Sequence, residues 1–430
     1  MGRKVDRRGK TQTNRGRRSG TKTIPAPIGG LNGKDGLANM PETDAYQLDN
    51  WFPGTATVKA RGGNTEFATE IGGPVRTLYT FDGGNDVQLL AFGDGNIFDI
   101  SLGGVAAGAL DTGRNVDIAI IEQFSNAGGQ RAVIVTGADP PCMYDGAAIT
   151  DLVITGLPAI QDLLTYVFSF KGRLYFAYEE ILGFYYLAVG AIQGAVDFFD
   201  LSQIARKGGY VMALGSFSYD AGSGPGEYFL IVTSNGEYIV YEGYDPDNAA
   251  NWGLVGRYNG PPPIGRNCLI DTTELIILTL DGAIPFSAMR KDEGASDDDA
   301  ITEKLGRLLT DLNVNADTHG WQGLLYPRGG ALIINVPASD TEAGHYYQYV
   351  QNTKTKSWGR YTNWDALCFV VFNRRLYFGT FDGRVMLADE GQNDDGAEIT
   401  LNAKQAYNYM EDGRGSGSMN KQFHFAKVLM

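Results

Sequence analysis

From Val75 onward the chain alternates short apolar or aromatic runs with two-residue turn signals. Val87-Gln-Leu-Leu-Ala-Phe92 meets Asp94-Gly95 and resumes as Asn96-Ile-Phe-Asp-Ile100. Tyr228-Phe-Leu-Ile-Val-Thr233 meets Asn235-Gly236 before Glu237-Tyr-Ile-Val-Tyr241. Leu275-Ile-Ile-Leu-Thr-Leu280 runs into Asp281-Gly282, and Phe168-Ser-Phe170 into Lys171-Gly172-Arg173. Arg375-Leu-Tyr-Phe-Gly-Thr380 runs into Asp382-Gly383, then Arg384-Val-Met-Leu387. Such pairs between apolar runs predict tight hairpins, with both turn residues at positive φ. The turns at Gly95, Gly146, Gly236, Gly282, Gly330 and Gly383 recur at a spacing of about 46 to 53 residues. One double-length gap holds the Lys171-Gly172 hairpin. A repeat of roughly 40–50 residues with several strands each is the mark of a β-propeller. An all-β propeller of six or seven blades is therefore predicted, with unrelated hairpins in two stacked sandwiches as the alternative.

One helix is predicted, because Ile301, Leu305, Leu308, Leu309 and Leu312 fall at helical spacing behind Ser296 and Asp297 to Asp299 as caps. The stretch Tyr244 to Gly265 reads as an irregular insertion, stiffened by Pro246, Pro261, Pro262 and Pro263 into a contact surface. Phe423-His-Phe-Ala-Lys-Val-Leu429 reads as a further strand, one able to close the ring. The chain divides into a basic arm (1–23), a Pro/Gly-rich lead-in (24–74) and the propeller body with its insertions (75–430).

Composition narrows the class. Glycine is abundant, at 58 of 430 residues, but lacks the collagen period, and 43% hydrophobic content with 11% aromatics supports a core. No run approaches the length of a membrane span, and no short apolar stretch follows the basic N-terminus. A soluble, non-exported chain without stable membrane insertion is expected. Cys142, Cys268 and Cys368 have no metal-ligand spacing and cannot all pair, which fits a reducing compartment.

The charge is split. Residues 1–22 carry nine cations (Arg3, Lys4, Arg7, Arg8, Lys10, Arg15, Arg17, Arg18, Lys22) and one acid, a net +8. Against −14 for the whole chain, residues 23–430 hold −22. Like-charge runs interspersed with Gly, Ser, Thr and Asn cannot bury apolar area, so the arm is expected to be disordered until it binds. Its cations are the candidate contacts to DNA or to an acidic partner surface. The acidic body lacks the basic footprint of a duplex-gripping domain.

Catalytic chemistry is hard to place. His319, His345 and His424 are isolated and form no HExxH, and G-x-S-x-G is absent. Gly9-Lys10-Thr11 ends like a phosphate loop, but its first glycine position is Lys4. Asp389 to Gly396 resembles a calcium loop until the first ligand position falls on Gly391, so it and Asp292 to Asp299 read as solvated acidic loops. No catalytic, cofactor-binding or metal residue is predicted, and the chain is expected not to be an enzyme.

Two sets of residues carry a resemblance. The first is Ile24-Pro-Ala-Pro-Ile-Gly-Gly-Leu-Asn32, Met40-Pro41, Leu48-Asp-Asn-Trp-Phe-Pro53 and Val58-Lys-Ala-Arg-Gly62. The second includes Gly320-Trp321, Tyr326-Pro327, Leu332-Ile-Ile-Asn-Val-Pro337, Gln351-Asn-Thr353, Ser357-Trp358 and Trp364-Asp-Ala366. It continues through Leu376-Tyr-Phe-Gly379, Asp382-Gly-Arg-Val385 and Asp394-Asp-Gly396. Together they resemble the tail nozzle (tail tube or hub) structural proteins of short-tailed bacteriophages. The resemblance implies a propeller subunit assembled in the host cytoplasm into a homohexameric ring in the virion tail. It also implies contact with adaptor or head–tail connector proteins, neighbouring fibre or spike proteins, and viral double-stranded DNA passing through the lumen. The competing expectations are a receptor- or glycan-binding propeller of the tail and a propeller glycosidase.

Overall fold

Apolar runs that are continuous rather than alternating belong in strands covered on both faces, and that is how the chain uses them. In Arg173–Tyr178, Leu174, Phe176 and Tyr178 enter one apolar cluster while Tyr175 and Ala177 enter the next. In Val87–Gly93, Leu89 and Ala91 point to one neighbouring sheet, Leu90 and Phe92 to the other. Successive side chains leave a strand on opposite faces, so a sheet packed between two others needs apolar residues at every position.

The computed structural model describes residues 23–115, 118–220, 225–291, 297–306, 319–337 and 346–408. Among these the architecture is all-β and propeller-like. Antiparallel meanders follow one another along the chain: Val75–Asp82 to Asn96–Asp99, Ile120–Asn126 to Ile149–Asp151, and Leu164–Phe170 to Asp197–Asp200. Then come Val211–Asp220 to Trp252–Asn259, Leu269–Ile270 to Gly282–Pro285, Gln322–Tyr326 to Trp358–Tyr361, and Cys368–Phe372 to Val385–Ala388. Six apolar clusters fill the gaps between neighbours. The last of them closes the circle, joining Cys368, Phe372 and Tyr377 to Val75, Leu78 and Leu89.

Five sheets reach four strands or more, the full complement of a blade, against the six or seven expected. The other two have three strands. After Asn96–Asp99 the chain leaves to pair Gly104–Val105 with a different sheet, and after Gly282–Pro285 it turns into the short helix Phe286–Met289.

The turn chemistry was half anticipated. Asp94-Gly95 and Lys171-Gly172 hold positive φ at both positions, and so does Asn373-Arg374, which carries no glycine. In Asn235-Gly236, Asp281-Gly282 and Asp382-Gly383 only the glycine is left-handed. The first and third of these lie in loops longer than two residues, whereas Gly282 is the first residue of its strand, paired with Thr279 across the two-residue loop Leu280-Asp281.

Three further expectations are corrected. Residues 301–306 are turn and 3-10 backbone instead of the start of a helix, and Leu308, Leu309 and Leu312 lie outside the described residues. The Ile301 amide donates to the Ala283 carbonyl, and the Trp358 indole donates to the Ile301 carbonyl, so that backbone is committed to sheets. The stretch Tyr244 to Gly265 contains the eight-residue strand Trp252–Asn259, whose Val255 sits in a bulge opposite Val240 and Tyr241. Closure of the last blade uses Asn64–Thr69 from the lead-in, antiparallel to Val385–Ala388, while Phe423 to Leu429 lies outside the described residues.

Candidate functional site

The two segments that carry the resemblance meet in one place. Asp44–Asp49 lies parallel to Trp358–Tyr361 and antiparallel to Asn402–Gln405. Beside it, Arg61 reaches across 333 positions of sequence to Asp394. The guanidinium is fully buried and donates Nη1 to Asp394 Oδ1 at 2.7 Å and Nη2 to Oδ2 at 2.5 Å. Its other donors reach the carbonyls of Gly62 (2.8 Å) and Thr362 (2.9 Å) and Asn50 Oδ1 (2.9 Å). All five N–H groups of the fork are satisfied, as a buried guanidinium requires. Asp394 also accepts from Asn64 Nδ2 at 2.9 Å.

Asn50 is the hinge of this clasp. It is fully buried with φ 63°, a region that asparagine tolerates better than most residues. Its amide nitrogen donates to Thr362 Oγ1 (2.9 Å) and the Thr400 carbonyl (2.8 Å), and its oxygen accepts from the Thr362 amide (2.8 Å). Further along, Arg360 Nε donates to Asp49 Oδ1 (2.7 Å), Ser357 Oγ to the Ile28 carbonyl (2.8 Å), and Asn352 Nδ2 to the Pro53 carbonyl (2.9 Å). Two glycines permit the close approach: a Cβ on Gly30, at φ 82°, would lie 2.6 Å from the Trp358 carbonyl, and one on Gly63 1.8 Å from that of Asn393.

Next to the clasp is a cleft of about 170 Å³, roofed by the hairpin of Trp51–Pro53 and Val58–Ala60. Phe52, Tyr326, Tyr361 and Trp364 supply aromatic walls, and Lys59 and Asp389 also line it. Arg61 lies behind two of these rings, 5.0 Å from the Trp364 centroid and 5.8 Å from that of Tyr361. Tyr326 Oη donates to Asp389 Oδ2 at 3.4 Å, and partial desolvation raises the Asp389 carboxyl above its ordinary value.

A second cavity, about 260 Å³, lies among inner strands of several sheets and is lined by Arg76, Tyr79, Tyr166, Asn267, His319 and Gln322 among others. Glu122 is close by. It accepts hydrogen bonds from the Ser169 amide (3.2 Å) and hydroxyl, yet burial pushes its carboxyl up to about 6. Since burial penalises the charged form, this group costs stability above pH 6 and the cost fades as pH falls toward 4.5. Glu122→Gln, which keeps the acceptor for Ser169, is expected to be more stable than the parent at pH 7 by about 1–2 kcal/mol. That advantage should shrink toward zero by pH 4.5 in urea melts; a pH-independent difference would refute it.

The three cysteines are buried, and desolvation pushes each thiol up to about 12, so none is a poised nucleophile. Among the described residues there is no cluster of three or more metal-capable side chains, and no helix long and apolar enough to cross a membrane.

All nine cations proposed from the sequence, Arg3 to Lys22, lie outside the described residues. Sequence reading missed the clasp pair, and it took Asp394 for part of a solvated loop. That aspartate is only 9% exposed. The signal was present in Val58-Lys-Ala-Arg-Gly62 and Asp394-Asp-Gly396, which belong to the recognised pattern, but nothing in one dimension couples the two charges.

No protein-family model matches this chain, and no curated protein matches it. Among solved structures it is similar to BBS1N from a complex with ARL6DN, at 11% identity and a TM-score of 0.47 over 79% of this chain and 100% of that one. It is also similar to the extracellular domain of a candidate one-component system from B. thetaiotaomicron, at 10% identity and a TM-score of 0.47, covering 83% and 47% of the two chains. A computationally designed protein, Ika8, gives 11% identity and a TM-score of 0.40 over 75% and 99%.

Proposed function

We propose that this chain is a virion structural protein, a tail nozzle subunit of a short-tailed bacteriophage, with no catalytic role. One observation carries the reading. The separate stretches whose residues resemble that family converge on a single buried clasp, so the pattern is a structural unit instead of scattered coincidences. In this reading six copies close a ring through heterologous contacts. The outer-edge strand Trp252–Asn259 offers part of that contact, since Leu254 and Val255 are exposed on it and, among the described residues, no strand pairs with its outer edge. The ring sits below the portal and adaptor and conducts the genome. A lumen rich in the body's carboxylates would let duplex DNA slide, because phosphate neutralisation is what makes DNA adhere. The basic arm docks on an acidic surface of the adaptor or of a neighbouring copy, in a salt-sensitive way.

Single-particle imaging and mass measurement of the full chain, alone and with virion connector proteins, test this. Sixfold rings coaxial with a portal are expected, weakened by deletion of residues 1–22 as salt rises. A species that stays monomeric under all conditions, or a lumen lined mainly by Lys and Arg, would overturn it.

A further inference from the structure

The turns of the last two sheets gather cations that are far apart in the sequence. Arg328, Lys354, Lys356, Arg374 and Arg375 lie on three turns, with Lys59 on the lead-in hairpin beside them, and all six are exposed. The Thr353 amide and hydroxyl donate to the Gly330 carbonyl at 2.9 and 3.0 Å, which seats the lysine turn against the turn that holds Arg328. Burial raises the Tyr326 hydroxyl above its ordinary value, and Arg328 and Arg375 both oppose that rise, so guanidiniums from two sheets converge on one group. Among the described residues Lys59, Arg328, Lys354, Lys356 and Arg374 form no ion pair, and Arg375 reaches only Glu390, at 3.9 Å. Elsewhere Arg61, Arg114, Arg173, Arg360 and Arg384 are each held by carboxylates. Lys356 (φ 60°) and Arg374 (φ 64°) also occupy left-handed backbone, where glycine or asparagine would be less strained.

The partner must be anionic, and the chain's own ends do not supply it. Residues 1–22 are net +8 and residues 409–430 net +1. The arm also starts at this face, because Ser357 holds the Ile28 carbonyl, five positions from Thr23. Among the described residues none of the exposed large apolar side chains lies on these turns. A protein partner would need such an apolar centre, whereas phosphate contacts need only cations and close approach. We infer that this face binds the phosphate backbone of double-stranded DNA, without sequence preference. A body that repels phosphate over the rest of its surface is thereby given one adhesive end. The contact belongs to one subunit's surface and does not require that copies close a ring.

Fluorescence anisotropy of the full chain with a labelled duplex of about 20 base pairs, between about 50 and 200 mM salt, tests this. The fourfold variant Arg328→Gln, Lys354→Gln, Arg374→Asn, Arg375→Gln should keep its melting curve but bind at least ~10-fold more weakly at the lower salt. Its slope of log K against log salt should flatten by about 3. Changing four exposed cations elsewhere to Gln (Lys34, Lys171, Lys291 and Lys404) should alter affinity and slope far less. Equal losses in the two variants would reduce the effect to net charge. Unchanged binding by the first would assign it to residues 1–22, and competition by polyglutamate as strong as by unlabelled duplex would point to an acidic protein. Each of these results, or no binding at about 50 mM salt, would overturn the inference.

Discussion

Replacing Arg61 with methionine is expected to destabilise the folded chain by about 3–5 kcal/mol, the cost of leaving a buried charge without its partner. Asp394 would keep Asn64 but lose both guanidinium bonds, and Asn50 would lose one of the two donors on its oxygen. Arg61→Lys should recover little, because an ammonium cannot serve five acceptors in a planar fork. The double change Arg61→Met with Asp394→Leu should recover a large part, since apolar replacement of a buried pair is often neutral. Urea midpoints for the four proteins measure this. A loss under about 1 kcal/mol for Arg61→Met would mean that the pair does not hold the clasp.

Phe229→Ala should cost a similar amount, about 3–5 kcal/mol. Phe229 is fully buried between two blades, with ring centroids of Tyr175 at 4.7 Å, Phe170 at 5.3 Å, Trp252 at 5.5 Å and Phe184 at 5.6 Å. Removing it opens a cavity that four rings cannot collapse into without losing their own contacts. In the same cluster Tyr175→Phe deletes a buried hydroxyl that has no partner, and it is expected to be neutral or slightly stabilising. Thermal melts of both variants check the contrast. Equal losses would show that the hydroxyl contributes and that the cluster is not governed by packing alone.

What could be read from sequence was what repeats locally. Runs such as Leu174 to Tyr178 and turns such as Asp94-Gly95 encode strands and their reversals within a dozen residues, so the propeller was legible. Strand count per blade was not. Whether the segment after Asp99 adds a fourth strand or departs to pair Gly104 with Ala68 depends on which edge is open in three dimensions. The predicted helix failed for the same reason: Ile301 and Leu305 have helical spacing, but Ile301 backbone groups are claimed by Ala283 and Trp358. The clasp was half legible, because Arg61 and Asp394 each sit in recognised motifs. Their partnership spans 333 positions, beyond any local rule. The cleft was invisible, since its walls come from residues scattered between Phe52 and Asp389.

The pairing of Asn64–Thr69 with Val385–Ala388 also sets a timetable for the newborn chain. A ribosome adding 5–20 residues per second needs roughly 15 to 65 s to travel from the first of these strands to the second. Throughout that interval the early strand has only the two-residue Gly104–Val105 strand as a partner, and Arg61 is a cation without its carboxylate. The nascent polypeptide therefore offers an unclaimed strand edge to its surroundings until translation is nearly finished. On polysomes that carry several such chains at once, premature strand exchange between neighbours is the hazard, and holdase chaperones that mask the first seventy residues would raise the yield of correctly closed rings.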